Sequence, residues 1–280
     1  MAMADMQDWD WEIRPTGVNN LKLRDVFRYK DLLLAFFRRE LLAGYKQTII
    51  GWLWIILQPT LATIFYIIVF HKIIGINTGT VQPVLFYMSG AILWSFFSDV
   101  LSGCMYTFLY NTHIFSKVYF PRLIIPLSTL LNNSLRMAVQ LAVFVTVWLT
   151  LAGNQLPGTY IWLAPLIILQ VAAFATGLGV LLSVALARFR DIEYIMGFVL
   201  RLWMFITPVV YPASMIPSRY SLIAWLNPLT TYVELFRSTM FGGPIPALQY
   251  IAVSMAATFF ILLAGIIVFK KHEISIMDTI

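Results

Sequence analysis

The sequence predicts an all-α integral membrane protein: six transmembrane helices, an amphipathic helix ahead of the first, and re-entrant helices on the outer face between the fifth and sixth. Three observations carry this expectation. The first is composition: of 280 residues, 60% are hydrophobic and only 11% charged, with a mean hydropathy of +0.81. A soluble domain is about 45–50% apolar and about 25% charged, and even one of roughly 300 residues leaves about a quarter of its chain surface in water. A soluble enzyme, a disordered regulator and a disulfide-rich secreted scaffold are thereby excluded. The single cysteine, Cys104, allows no intrachain disulfide. The second observation is a series of apolar stretches long enough to cross a bilayer. The third is the sidedness of the lysines and arginines between them.

Residues 1–28 read as a cytoplasmic leader. Asp5, Asp8 and Asp10 make its start acidic, and no apolar run precedes the first long span. A secretory signal is therefore not expected, and the N-terminus should be retained. Residues 29–48 follow as an amphipathic interface helix. On a helical wheel Leu32, Leu33, Leu34, Phe36, Phe37 and Leu41 fill one arc; Asp31, Arg38, Arg39 and Lys46 fall opposite, and Glu40 breaks the pattern. Such a helix lies in the cytoplasmic interface with its basic side toward the headgroups, or else docks on a partner.

About 20 apolar residues cross a hydrocarbon core about 30 Å thick. Residues 49–70, 84–108, 123–151, 160–186 and 249–269 qualify, and 194–211, shorter and carrying Arg201, is the sixth. Residues 220–241 are apolar enough for a seventh, but they contain Asn227-Pro228, Glu234 and Arg237 and end at Gly242-Gly243-Pro244. The excess of basic residues on the cytoplasmic side decides the parity. Six spans put eight basic residues before Ile49 inside, together with Lys117, Arg122, Arg188, Arg190, Lys270 and Lys271, and leave Lys72, Arg219 and Arg237 outside. A seventh span would send Lys270 and Lys271 outward. The same asymmetry accounts for the net charge of +6 without nucleic acid. Residues 212–247 then form an outer re-entrant segment with bends at Pro212, Pro217 and Pro228,. Its backbone is tolerated at membrane depth only where protein or water satisfies it. Glu234 and Arg237, three residues apart, can pair on one helix face,.

No catalytic constellation is evident. A GxxxxGK[ST] phosphate loop is missing, so ATP hydrolysis by that route is not expected in this chain,. His71, His113 and His272 are scattered, and no histidine/cysteine cluster points to a metal. Asp99 is nearly alone among intramembrane acids, whereas a proton-coupled carrier strings several through its core. Arg136 and Arg201 each cost roughly 2.5–3.5 kcal/mol at a helix centre, so they should face protein, a water-filled path or an interface. Arg136 lies beside Asn132, Asn133 and Ser134 at a depth comparable to that of Asp99, which allows an Asp99–Arg136 pair. The cluster reads equally as a conduit for polar cargo and as glue between helices. Trp52, Trp54, Trp94, Phe96, Phe97, Trp148, Trp162 and Trp203 are bilayer anchors taken singly, although such rings also suit sugar faces,. Ala175, Gly179, Ser183 and Ala187 form a ladder of small residues that lets a helix approach, within the chain or across a dimer,.

Beside this reading stands a resemblance. Arg38-Arg39-Glu40, Tyr45-Lys46-Gln47-Thr48, Gly51-Trp52-Leu53-Trp54 and Gln58-Pro59 resemble the entrance of polysaccharide-export permeases of the type-2 ABC exporter family. Arg190-Asp191-Ile192 is similar to a recurrent cytoplasmic element of that family. Thr207-Pro208-Val209 with Tyr211, Asn227-Pro228 and Arg237 are similar to its outer re-entrant region. Order and spacing agree over about residues 25–270.

The resemblance implies a homodimer of six-helix subunits engaging two copies of a cytoplasmic ABC ATPase, which would hold the ATP and Mg; this chain would hold no cofactor. The implied cargo is a lipid-linked glycan, O-antigen foremost, moved from the cytoplasmic to the outer face of the bacterial inner membrane, with both termini cytoplasmic. Residues 29–46 would lie beside the ATPase, 110–122 would form a coupling helix and 187–194 a second contact. His113, Lys117, Arg122, Arg190 and Asp191 are the coupling candidates. Residues 220–241 would form outer gate helices, with Pro208, Tyr211, Asn227, Glu234 and Arg237 as gate candidates. A dimer seam of spans one and five would admit the lipid. Arg38, Arg39 and Lys46 are candidates to attract its diphosphate, since juxtamembrane bases favour anionic headgroups by about 1 kcal/mol each; the other reading of these three is ordinary positive-inside anchoring. The alternatives are a teichoic acid or capsule exporter, a drug-exporting permease of the same superfamily, an ion channel or scaffold, and a membrane enzyme acting on lipid-linked sugars. The last would need paired carboxylates or a histidine at one membrane face; Asp191 and Glu193 are close together, but the arginines flanking Asp191 favour a contact loop.

Overall fold

The computed structural model describes residues 29–45, 49–115, 120–151, 158 and 160–277. The leader 1–28, Lys46 and Lys117 lie outside the described residues. Among those described, the regular elements are all helical. Helix α1 spans Lys30–Tyr45, α2 Trp54–Tyr66, α3 Pro83–Met105, α4 Thr107–Phe115 and α5 Ile124–Leu151. They are followed by α6 at Ala164–Arg188, α7 at Asp191–Ile206, α8 at Ser218–Leu226, α9 at Pro228–Phe241 and α10 at Leu248–Met277.

Five helical segments are long and apolar enough to cross a membrane: Gly51–Ile73, Pro83–Met105, Ile124–Leu151, Ile161–Arg188 and Leu248–Glu273. These correspond to the five longer stretches expected from sequence. The first is irregular. It starts from a 3₁₀ turn, Gly51–Leu53, where Gly51 sits at φ 59°, a conformation that a side chain disfavours,. It carries Pro59 in its interior and widens into π-helical turns over Ile67–Ile73. The sixth expected span differs from the prediction. Helix α7 has 16 residues, about 24 Å at 1.5 Å per residue, and stops at Ile206 because Pro208 drives Thr207 into an extended conformation,. The 220–241 stretch is split at Asn227-Pro228 into α8 and α9, of nine and 14 residues. Neither is long enough to span, in keeping with a helical hairpin in place of a seventh crossing.

Helices α3 and α6 form the centre. Within their apolar windows 72% and 61% of residues are buried, against 17% for each of the other three spans. Small residues permit this. A Cβ on Gly179 would lie 2.6 Å from the carbonyl oxygen of Leu101, so α6 and α3 touch backbone to backbone. The Ala175–Gly179–Ser183 part of the ladder is thus consumed by packing within the chain. On its other side α6 meets α10, where a Cβ on Gly265 would run into the carbonyl of Gly177. Phe97 stacks on Phe174 at 5.6 Å and meets Trp203 edge-on at 5.4 Å. Phe96 and Phe97 are therefore core residues and not bilayer anchors, whereas Trp52 and Trp162 remain half or more exposed.

Candidate functional site

Buried polar side chains gather near both ends of α3. At its N-terminal end the central group is Arg237 of α9. Pro208 ends α7, and residues 207–211 follow as a non-helical turn in which Val209 N donates to the Thr207 carbonyl at 2.6 Å, leaving the next carbonyls to be satisfied away from water,. Arg237 serves them with its fork of donors. Its Nη1 donates to the carbonyl of Pro208 at 2.6 Å and to Glu234 Oε1 at 3.1 Å; its Nη2 donates to Val209 at 2.6 Å and to Phe86 at 3.4 Å. The guanidinium also sits 3.7 Å from the centroid of the Phe86 ring, an attraction that strengthens when desolvated. Gly90 makes room for it, since a Cβ there would lie 2.8 Å from Nη2.

The other outer candidates converge on the same spot. Glu234 Oε1 accepts from the Ala213 amide at 3.3 Å. Asn227 caps α9 by accepting from Leu229 N at 3.2 Å, and its amide donates to Thr207 Oγ1 at 2.9 Å,. Tyr211 instead closes its own segment, donating to the carbonyl of Phe205 at 2.8 Å. Twelve of the 14 residues of α9 are buried. Tyr232, which the sequence did not single out, ties this helix to α10 through the Ser254 carbonyl at 2.9 Å and Thr258 Oγ1 at 2.7 Å. Helix α8, by contrast, leaves Tyr220, Leu222, Ile223 and Leu226 exposed.

At the C-terminal end of α3 lies a cavity of about 720 Å³ bounded by α1, α3, α4 and α5. Its walls include Arg39, Glu40, Asp99, Asn111, His113, Asn132, Asn133 and Arg136. Glu40 is turned into it: Oε1 accepts from Ser128 Oγ at 3.2 Å and Thr129 Oγ1 at 3.4 Å, and Oε2 from Asn132 Nδ2 at 3.4 Å. Burial raises the Glu40 carboxyl above the usual range, against the pull of those three donors and of Arg39. Arg39 reaches Asn111 Oδ1 at 3.3 Å and lies 4.8 Å over Phe36. Arg136 and Asp99 share the cavity and act on one another electrostatically. Tyr106 and Tyr110 stack at 4.7 Å along its rim.

This geometry corrects the helical wheel for α1. The inward stripe holds Phe36, Leu41 and Glu40, whereas Leu34 is 47% exposed. Glu40 belongs on that stripe because α5 offers a matching polar face. Ser128, Thr129, Asn132, Asn133 and Arg136 recur at spacings of three and four, a signal legible in the sequence,. Arg38 and Arg39 are both exposed, and of the two it is Arg39 that borders the cavity.

The coupling candidates are dispersed. His113 borders the cavity; Arg122 lies 5.7 Å over Phe115 and within electrostatic reach of Glu273 on α10. Arg190 and Asp191 are exposed at the start of α7, where the helix dipole favours the acid. Arg201 is exposed midway along α7, on a face shared with Phe198, Leu202 and Phe205.

The family model described as ABC-2 type transporter matches residues 31–241, from the first turn of α1 to the end of α9. The chain is similar to an O-antigen export system permease protein RfbA of Klebsiella pneumoniae, 27% identical over 86% of this chain and 92% of that protein. It is similar to RfbA of Myxococcus xanthus, 27% identical over 92% of this chain and 98% of that protein. It is also similar to the polysialic acid transport protein KpsM of Escherichia coli, 26% identical over 85% of this chain and 92% of that protein.

Proposed function

The chain belongs to the ABC-2 type transporter family, and from that membership we infer that it is the transmembrane subunit of an ATP-driven exporter of a lipid-linked polysaccharide, with O-antigen as its cargo. The observation that carries the reading is the near end-to-end likeness to permeases named for O-antigen export, which extends over 98% of the Myxococcus xanthus protein. Capsule-type cargo is the second reading, favoured by the likeness to KpsM.

In this reading two copies of the chain pair in the bacterial inner membrane and engage two copies of a cytoplasmic ABC ATPase, which binds the ATP and Mg. Helix α7 together with residues 207–211 makes the sixth crossing, which leaves both termini cytoplasmic, as the distribution of lysines and arginines requires. The arginine midway along α7 then has a place. Arg201 is exposed in the single chain, and an arginine facing hydrocarbon costs roughly 2.5–3.5 kcal/mol, so its face turns to the second copy or to the cargo. ATP-driven closure of the ATPases is carried by residues 110–122 and by α1, and Arg38 with Lys46 attracts the diphosphate of the lipid. The Arg237 cluster holds the base of the outer hairpin while the exposed α8 moves.

The test is co-purification of the tagged chain from detergent-solubilised membranes, followed by ATP turnover with and without lipid-linked glycan. Recovery of a stoichiometric phosphate-loop ATPase is expected, with turnover lost on charge reversal at Lys117 and Arg122. Recovery of the chain alone, without turnover, overturns the exporter.

A further inference from the structure

We propose that the cavity beneath α1 is a binding site for a neutral, hydroxyl-rich ring, namely one sugar unit of the cargo close to its lipid anchor. The source of the ligand rests on the exporter reading; the site itself rests on four features of the cavity.

The first is size. About 720 Å³ falls within the range of roughly 300–1,000 Å³ typical of small-molecule sites. The second is charge. Arg39 and Arg136 share the walls with Glu40 and Asp99, so the cationic and carboxylate side chains balance. A diphosphate entering here would meet both carboxylates, whereas an uncharged polyol meets donors and acceptors on every side. The cavity is thus distinguished from the outward-facing Arg38, and the role of attracting the diphosphate passes away from Arg39.

The third feature is a stranded acceptor. Asn132 is only 5% exposed, and its Nδ2 donates to Glu40 Oε2 at 3.4 Å, which fixes the orientation of the amide,. Its Oδ1 is then buried without a hydrogen-bond partner. Buried polar atoms are ordinarily satisfied, and this one belongs to a residue lining the cavity, so it marks a donor missing at the cavity wall. The fourth is an aromatic platform. Tyr110, the first residue of the coupling segment, stacks on Tyr106 with the ring planes 14° apart yet stays 61% exposed in the chain on its own. Such a ring offers the apolar face of a sugar a surface and its rim a polar edge.

The experiment uses the full chain in lipid nanodiscs free of glycosidic detergent. Saturation-transfer NMR is recorded with free glucose, galactose, mannose and N-acetylglucosamine in turn, with inorganic pyrophosphate as the competitor. At least one sugar should show transfer, lowered several-fold by Asn132→Leu and by Tyr110→Ala, and undiminished by pyrophosphate. Tyr110 is exposed, so its replacement guards against a result caused by misfolding, and thermal unfolding of both variants is followed alongside. No transfer from any of the four sugars overturns the site and marks it as a water-filled void. Transfer that persists in either variant, or that pyrophosphate abolishes, overturns it as well. Loss of the exporter reading is separate. A chain that recruits its ATPase but gives no sugar signal keeps the exporter and loses this site, whereas one that binds sugar without an ATPase does the reverse.

Discussion

Gln140 on α5 donates its side-chain amide to the main-chain carbonyl of Ile55 on α2, at 3.3 Å. Ile55 is the residue four before Pro59, so it is the carbonyl that proline, lacking an N–H, cannot serve. Gln140 is 8% exposed and Ile55 is 4% exposed, which leaves little water to take over. A defect in one helix is thus repaired by a side chain from another, as membrane helices require.

Replacing Gln140 with Leu should lower stability by about 1 kcal/mol, the usual scale for a side-chain hydrogen bond between membrane helices. Adding Pro59→Ala should recover most of the loss, because an alanine at that position brings back an N–H for the Ile55 carbonyl. Thermal unfolding of the single and double variants in detergent checks this. A double variant no more stable than Gln140→Leu alone would show that the bond contributes nothing.

Arg237 holds non-helical carbonyls together with Glu234, so truncation leaves several buried polar groups unpaired. Arg237→Leu should cost about 3–5 kcal/mol, as breaking a buried ion pair does. Arg237→Lys should recover only part, since an ammonium lacks the planar fork. Accumulation in the membrane, and cleavage of residues 212–217 by protease added from outside, report the loss of this cluster.

Two glycines make opposite predictions. Gly265→Ala would drive a methyl against the Gly177 carbonyl where α10 crosses α6, and overpacking of this kind costs about 1–3 kcal/mol. Gly197, in the middle of α7, has nothing within 4 Å of its would-be Cβ. Gly197→Ala should therefore stabilise the chain by about 0.5–1 kcal/mol. A cost at that position, measured by unfolding, would mark a second copy packed on the same face.

The pH dependence follows from Glu40. Its folded-state pKa is raised by burial, so the folded protein takes up this proton at a higher pH than the unfolded chain. Between the raised value and the ordinary 4.5, stability gained from this group increases as pH falls and is lost as pH rises. Glu40→Gln should abolish that component. Wild type should gain unfolding temperature relative to the variant from pH 7.5 to pH 5, and a difference independent of pH would remove Glu40 as the source.

How much of this was legible in the sequence depends on the range of the interaction. Five spans, the break at Asn227-Pro228 and the Glu234–Arg237 pair are local, fixed by hydropathy and by spacings of a few residues, and each is present. In the sequence Glu40 is a flaw in an amphipathic helix, because its partners lie about 90 residues further along, on α5. The early end of α7 was written in Pro208, yet the apolar run past it concealed the stop. Tyr232 and Gln140 carried no signal of their own, since a tyrosine or glutamine within an apolar stretch does not say which carbonyl it will meet. The outer candidates converge because a buried arginine demands acceptors. Arg190 and Asp191 stand apart from His113 and Arg122 because exposed charged residues at a helix start place no such demand.

The Arg237 cluster also dates its own assembly. Its guanidinium meets the Phe86 carbonyl across 151 positions of sequence, so the contact cannot close until well over half the chain has left the ribosome. Before then the carbonyls of Pro208 and Val209 have no donor from α9, and α9 is neither long enough nor apolar enough to enter the bilayer alone. The outer hairpin must therefore be received by helices already in place, with α3 serving as template. Variants at Gly90 or Phe86 should then fail at biogenesis, in fresh chains caught by quality control, and not by unfolding of the mature protein.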